Sequence, residues 1–229
     1  MPPRKKVNAT KKEIIQIAMR MFLENGFTDT SVKSISNELD ISTGNLTFHF
    51  PTKEHLLAVL VELLCSFQSH MIEVALNEGS SSMMAMCLEL AAIASICDSN
   101  AVAKDFYISA YTHPMTLEII RHNDRERARR IFSCPGWTDR EYTEAETLVS
   151  GIEYGTLMTT PSAGPLSVRV AGALHVILRI YGVSEDYRDM MIGRVLEMDY
   201  RSLGKRFLSE FNDYVRQISE EHLEQLLRK

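Results

Sequence analysis

The sequence predicts an all-α protein, with a small N-terminal three-helix unit followed by a larger helical body. Three features carry that expectation. Apolar residues recur at three- and four-residue intervals along most of the 229 residues, and no stretch alternates with the period of two that a strand requires. Capping boxes, Thr10-Lys-Lys-Glu13 and Thr138-Asp-Arg-Glu141, stand in front of two of those stretches. A hydrophobic content of 45% supports a substantial core, and Gly and Pro are too sparse for a disordered chain.

Taken in order, residues 1–9 contain Pro2-Pro3 and Arg4-Lys5-Lys6 and read as a flexible basic arm. Thr10 caps a first helix carrying Ile14, Ile17, Ala18, Met21 and Phe22 at helical spacing, and Asn25-Gly26 ends it. A second helix runs from Ser31 to Leu39 with Val32, Ile35 and Leu39 on one face. Asp40-Ile41 leaves room only for a tight turn, and Ser42 caps a very short third helix that Pro51 must stop. Thr52 opens a long helix to about Leu76, lined by Leu56, Leu57, Leu60, Leu63, Leu64, Phe67 and Met71. Glu78 to Ser82 is a loop, followed by helices near 82–97, 100–112 and 114–132, the last with Pro114 in its first turn. Cys134-Pro-Gly-Trp137 is a break. Helices near 139–159, 165–182, 185–199 and 202–228 complete the chain, with a loop at Thr160–Pro165. This divides the chain at residue 52 into an N-terminal domain (1–52) and a larger helical domain (53–229).

The third helix is too short to hold itself by packing, so it reads as a probe, with Leu46 and Phe50 turned inward. Two short helices joined by a three- to four-residue turn form the helix-turn-helix pattern, whose second helix enters the DNA major groove. The charge distribution agrees. Residues 1–53 carry eight Lys and Arg against five acids, a net +3, which leaves −8 on the remainder of a chain whose total is −5.

Thr30-Ser-Val-Lys-Ser-Ile-Ser36 and Ile41-Ser-Thr-Gly-Asn-Leu-Thr-Phe-His-Phe-Pro-Thr-Lys-Glu-His-Leu56 together resemble the tetracycline-repressor (TetR) family of bacterial transcription regulators over roughly residues 10–60. The resemblance implies a two-fold homodimer that presents two recognition helices to successive major grooves of a palindromic operator in double-stranded DNA. Thr43 and Asn45, beside Ser42 and Gly44 at the probe tip, are expected to face base edges. Thr30, Ser31, Thr47 and His49 are expected to hold the phosphate backbone, and Phe48 belongs to the same DNA-binding set. The family usually places Tyr where this chain has Thr47, so that aromatic contact is not carried over. Lys53 is a cation at a helix N-terminus, where the dipole disfavours it, and a phosphate lying there would supply the reason.

The function expected is a cytoplasmic transcription regulator, a repressor released by a small apolar or amphipathic ligand, with an activator or a DNA-bound regulator of something other than transcription on the same fold as the alternative. A helical enzyme or scaffold with a degenerate helix-turn-helix is the rival of a different class. No Gly-x-Ser-x-Gly, phosphate loop or metalloprotease His pair supports catalysis. Neither cofactor nor metal is expected, since His113, His122, His175, Cys87 and Cys97 lack ligand spacing. The four cysteines show no framework pattern and read as reduced thiols. No apolar run reaches a membrane span, and no apolar signal segment follows the basic N-terminus. Arg121, Arg125, Arg127, Arg129 and Arg130, interleaved with Glu118, Asp124 and Glu126, read as a solvated helix face. Phe67, Met71, Met86, Phe106, Tyr107, Tyr111, Tyr154 and Met158 are candidates for lining a ligand pocket, with an ordinary core as the alternative. Ala145, Leu148, Val149, Ile152, Gly155, Val170, Ala173, Leu174, Ile177 and Leu178 are candidates for a dimer face.

Overall fold

A computed structural model describes residues 10–77, 81–160 and 162–227, and every regular element among them is a helix. The N-terminal arm and residues 78–80 of the predicted loop lie outside the described residues. In chain order the helices are α1 (Lys11–Asn25), α2 (Val32–Glu38), α3 (Thr43–His49), α4 (Lys53–Asn77), α5 (Ser82–Ser99) and α6 (Ala101–Thr112). They continue with α7 (Pro114–Phe132), α8 (Asp139–Leu157), α9 (Leu166–Ile180), α10 (Glu185–Glu197), α11 (Tyr200–Gln217) and α12 (Glu220–Leu227).

Local chemistry sets these boundaries. Thr10 and Glu13 form a reciprocal capping box, and Gly26 ends α1 at φ 92°, a conformation open to glycine. Ser81 caps α5, and Asn100 ends α5 and caps α6 in one residue, its Oδ1 accepting from the Val102 and Ala103 amides. The C-terminal stretch read as one helix is two. Ile218 leaves helical geometry at ψ 134° and is buried, and Ser219 Oγ then accepts the His222 amide to start α12.

One hydrophobic core runs from α1 through to α12. On α1 the buried residues are Ile14, Ile15, Ala18, Met19 and Phe22, so the face differs from the predicted one and Ile17 and Met21 are only half-buried. The cause is that α1 packs on α4, α6 and α11 as well as on α2. Two further ties reach across: the Asp105 carboxylate accepts from the Thr28 amide and hydroxyl at 2.7 and 2.6 Å, and Gln16 donates to the Arg216 carbonyl. The head is therefore held by several elements, not by the long α4 alone.

The helices α4 and α5 are long and apolar enough to pass for membrane spans by length and composition, but 56% of each apolar window is buried inside the protein. Cys65, Cys87 and Cys97 are buried and Cys134 half-buried, all as free thiols. Gly204 marks a close helix crossing. A Cβ there would meet Ser95 Oγ at 2.6 Å and the Ala92 carbonyl at 2.7 Å, so α11 lies against the α5 backbone only because position 204 has no side chain.

The predicted dimer face is corrected by burial. Ala145, Val149, Val170, Ala173, Leu174, Ile177 and Leu178 are 0–6% exposed and belong to the protomer's own core. Sequence periodicity locates a helix's apolar side, and here that side faces the body's other helices. Leu148, 60% exposed, and Gly155 face out instead, and Ile152 is half-buried.

Gly204→Ala is expected to destabilise the fold by roughly 1–3 kcal/mol through overpacking. Urea unfolding measures it; an unchanged midpoint and slope would mean that α5 and α11 do not approach this closely.

Candidate nucleic-acid interface and internal cavity

The helix-turn-helix is assembled by short-range hydrogen bonds. Ser31 caps α2 by accepting from the Ser34 amide at 3.0 Å, and Ser34 Oγ in turn accepts from the Ser31 amide at 2.9 Å. Asp40 turns the chain at φ 52°, a left-handed value that Asp tolerates, and the Ile41 amide bonds back to the Ser36 carbonyl. Ser36 Oγ lies 3.3 Å from Thr43 Oγ1, fastening the end of α2 to the start of α3. Ser42 caps α3 through the Asn45 amide, and Phe50 stands outside the helix immediately before Pro51.

On α3, Leu46 and Phe50 are buried as expected, while Ser42, Thr43 and Gly44 are exposed. Asn45, Thr47 and His49 are half-buried, and Phe48 is 82% exposed. A phenyl ring so bare on a seven-residue helix adds nothing to this protomer's core.

Two of the expected backbone-contact side chains are otherwise engaged. Thr30 is 1% exposed, and its hydroxyl donates to the Gly26 carbonyl at 2.7 Å, so its side chain ties the α1–α2 turn together. Ser31, not Thr30, is the cap and remains exposed. Lys53 Nζ donates to the Phe27 carbonyl at 2.7 Å and lies 4.2 Å from the Phe27 ring centroid. An intramolecular carbonyl and ring thus account for a cation at this helix start. Within residues 10–53, the five cations Lys11, Lys12, Arg20, Lys33 and Lys53 match the five acids Glu13, Glu24, Asp29, Glu38 and Asp40, so the basic excess resides in Arg4, Lys5 and Lys6.

Behind the head lies a cavity of about 50 Å³, walled by residues from α4 to α9 and by Tyr181. Of the eight pocket candidates it takes Met86 and Tyr111. Phe67 packs on Phe207, Phe211 and Tyr214, and Phe106 and Tyr107 are fully buried core. Met71 lines a separate groove against α11, while Tyr154 stacks loosely on Tyr111 and Met158 is exposed.

The cavity's polar wall was not legible as such. Arg127, read as solvated, is 6% exposed and forks onto Glu89, Nη2 to Oε2 at 2.9 Å and Nη1 to Oε1 at 3.2 Å, with Asp124 Oδ1 also 3.2 Å from Nη1. Gln68 donates to Glu89 at 2.8 Å. The Tyr111 hydroxyl donates to Glu153 Oε2 at 3.0 Å and Tyr181 to Glu146 Oε2 at 3.5 Å. Burial, joined by the charge of Asp124, pushes Glu146 up to about 10 and Glu153 to about 8. Burial likewise raises Glu89 and Asp124, against the pull of Arg127. A signal did exist: Glu89 is the lone charge between Ser82 and Cys97, and Glu146 and Glu153 fall two turns apart on the face that carries Val149.

Residues 14–60 match the family model described as bacterial regulatory proteins, tetR family. The HTH-type transcriptional regulator YerO of Bacillus subtilis is 39% identical over 51 residues, 22% of this chain and 18% of YerO. The probable HTH-type transcriptional regulator YttP of the same species is 30% identical over 73 residues, 32% of this chain and 35% of YttP. The chain thus aligns with about a third or less of either relative's length. Among solved structures, RolR crystallised without ligand superposes at a TM-score of 0.58 and 19% identity, covering 81% of this chain and 97% of RolR, a likeness of fold.

Two carboxyls raised by burial in the fold make stability depend on pH. Their native values lie above the roughly 4.3 of an unfolded Glu, so the native state holds the extra protons and stability falls as pH rises. With chelator present, the melting temperature is expected to drop between pH 6 and 9, and Glu146→Gln to flatten that drop. A flat wild-type profile would refute the assignment.

Proposed function

We propose that this chain, whose residues 14–60 form a tetR-family DNA-binding domain, is a homodimeric transcription regulator that reads a palindromic operator and is released from it by an effector bound in the body. The observation that carries the reading is α3, a capped seven-residue helix anchored by Leu46 and Phe50, with Thr43, Gly44 and Phe48 left exposed at its tip and side. In this reading Asn45 and Thr43 meet base edges, and Ser31, Thr47, Phe48 and His49 hold the backbone. Thr30 acts from behind, by fixing the turn. Lys53 retains donor capacity beyond its bond to Phe27 for a phosphate at the α4 start.

A different face of α8 and α9 supports dimerisation. Leu148, Val168 and Val176 are 60%, 62% and 47% exposed, and a Cβ added at Gly151, Gly155 or Gly172 would meet nothing within 4 Å. Apolar and side-chain-free positions on two neighbouring helices suit close approach of a second copy across a two-fold axis. Release requires a path from body to head, and two helices offer one. α4 carries Gln68 at the cavity and Lys53 at the head; α6 carries Tyr111 at the cavity and Asp105 on Thr28. Any shift of α6 that the cavity favours would pull on the turn before α2.

On a true operator found by footprinting, Asn45→Ala is expected to cost on the order of 1–3 kcal/mol, with little change on random duplex. Deleting residues 2–9 should weaken all duplexes and reduce the salt slope by about 0.9 for each phosphate that the arm neutralises. Equal losses on both kinds of DNA for Asn45→Ala would remove it from base readout. For assembly, Leu148→Glu is expected to give folded monomers in sedimentation, whereas a charge at core residue Leu178 should unfold the protomer. A Leu148→Glu protein that sediments as a dimer would overturn the face.

A further inference from the structure

We propose that the internal cavity is a divalent-cation site, with Asp124, Glu146 and Glu153 as its carboxylate ligands. One oxygen or more from each of the three lies within 4.8 Å of the others. Oxygens bound at about 2.0–2.6 Å to one ion stand at most about 4.0–5.2 Å apart, so this spacing admits a shared ion. The second observation is Glu146 itself. It is 2% exposed and lines the cavity, yet its Oε1 has no hydrogen-bond partner. Buried carboxylate oxygens are ordinarily satisfied, so this one is aimed at something.

Size and chemistry then choose the occupant. A cavity of about 50 Å³ exceeds the roughly 10–15 Å³ that one water requires on the same measure, which leaves room for an ion with a few waters. It is several-fold below the roughly 300 Å³ at which pockets for drug-sized molecules begin. The three donors are carboxylate oxygens, without Cys or His, which suits a hard ion such as magnesium, manganese or calcium. The surroundings support the same geometry. Tyr111 and Tyr181 each hold one oxygen of Glu153 and Glu146, orienting the carboxylates while leaving Glu146 Oε1 open. Arg127 engages both oxygens of Glu89 but only Oδ1 of Asp124. One guanidinium faces four acids there; with all four ionised the cluster would carry −3, and a divalent cation that displaces their protons brings it to −1.

The site stands on its own geometry, while its effect on DNA rests on the regulator reading above. The test uses the full chain stripped with chelator, titrated with Mn²⁺ and followed by the electron-spin signal of free Mn²⁺. One ion per chain is expected, displaced by Mg²⁺ or Ca²⁺. Glu146→Gln and Glu153→Gln, which keep side-chain shape, should each weaken binding about 10–100-fold, and Glu118→Gln on the exposed side of α7 should not. A measurement on the unaltered protein guards against misfolded variants: bound Mn²⁺ should broaden the methyl resonances of Met86, Leu90 and Ile93, which line the cavity. The proposal is overturned if millimolar Mn²⁺ does not bind, if broadening falls elsewhere, if folded variants bind unchanged, or if tetramethylammonium is taken in place of the metal. Saturating Mn²⁺ is expected to shift operator affinity at least about fivefold. If the ion binds as described and operator affinity does not move, the cation site stands and the effector reading falls.

Discussion

The body is organised around a buried guanidinium. Arg127 of α7 binds Glu89 of α5 through both nitrogens and Asp124 one turn back on its own helix, and Gln68 of α4 completes the coordination of Glu89. A buried ion pair is poor evidence of net stabilisation, since desolvation offsets much of the attraction. Its value is positional. With one partner removed, a charge would stand unpaired in the interior, so α4, α5 and α7 accept one mutual register. That arrangement walls the cavity, and the cavity's other acids follow from the same constraint: helices pinned at Arg127 bring Asp124 against Glu146 and Glu153 of α8.

The head was legible because its signals are local. A cap, a tight turn and a proline within a dozen residues fix α2, α3 and the start of α4 without help from the rest of the chain, and Leu46 and Phe50 could face only one way. The body was legible as helices and opaque as an arrangement. Residues 89, 124, 146 and 153 meet only once α5, α7 and α8 have packed, and no pairwise spacing announces it. The α8 and α9 faces were inverted for the same reason: periodicity gave Val149, Leu174 and Leu178 a common kind of side, but only packing says that the side is interior. Thr30 and Lys53 show a subtler failure. Each sits in a motif position suggestive of phosphate, and each is engaged by a carbonyl of the α1–α2 connection.

Head and body are not two bodies on a hinge. The core is continuous from Ile14 to Leu223, and Asp105 grips the turn after α1 from the side. In the proposed reading, a change in the cavity that reorients α6 would act on the head through the Asp105–Thr28 hydrogen bonds as well as through α4. Such a connection transmits small displacements without requiring a loose joint.

The charge balance of the head has a consequence for timing. Residues 10–53 are electrically neutral in sum, and the cations that exceed the acids are Arg4, Lys5 and Lys6. Long-range attraction governs how often a protein meets a polyanion, whereas close contacts govern how long it remains. In the proposed regulator the two properties would be written in different parts of this chain. Changes at positions 4 to 6 would act on the search along DNA, and changes on α3 on the dwell at its destination, so each could vary with little effect on the other.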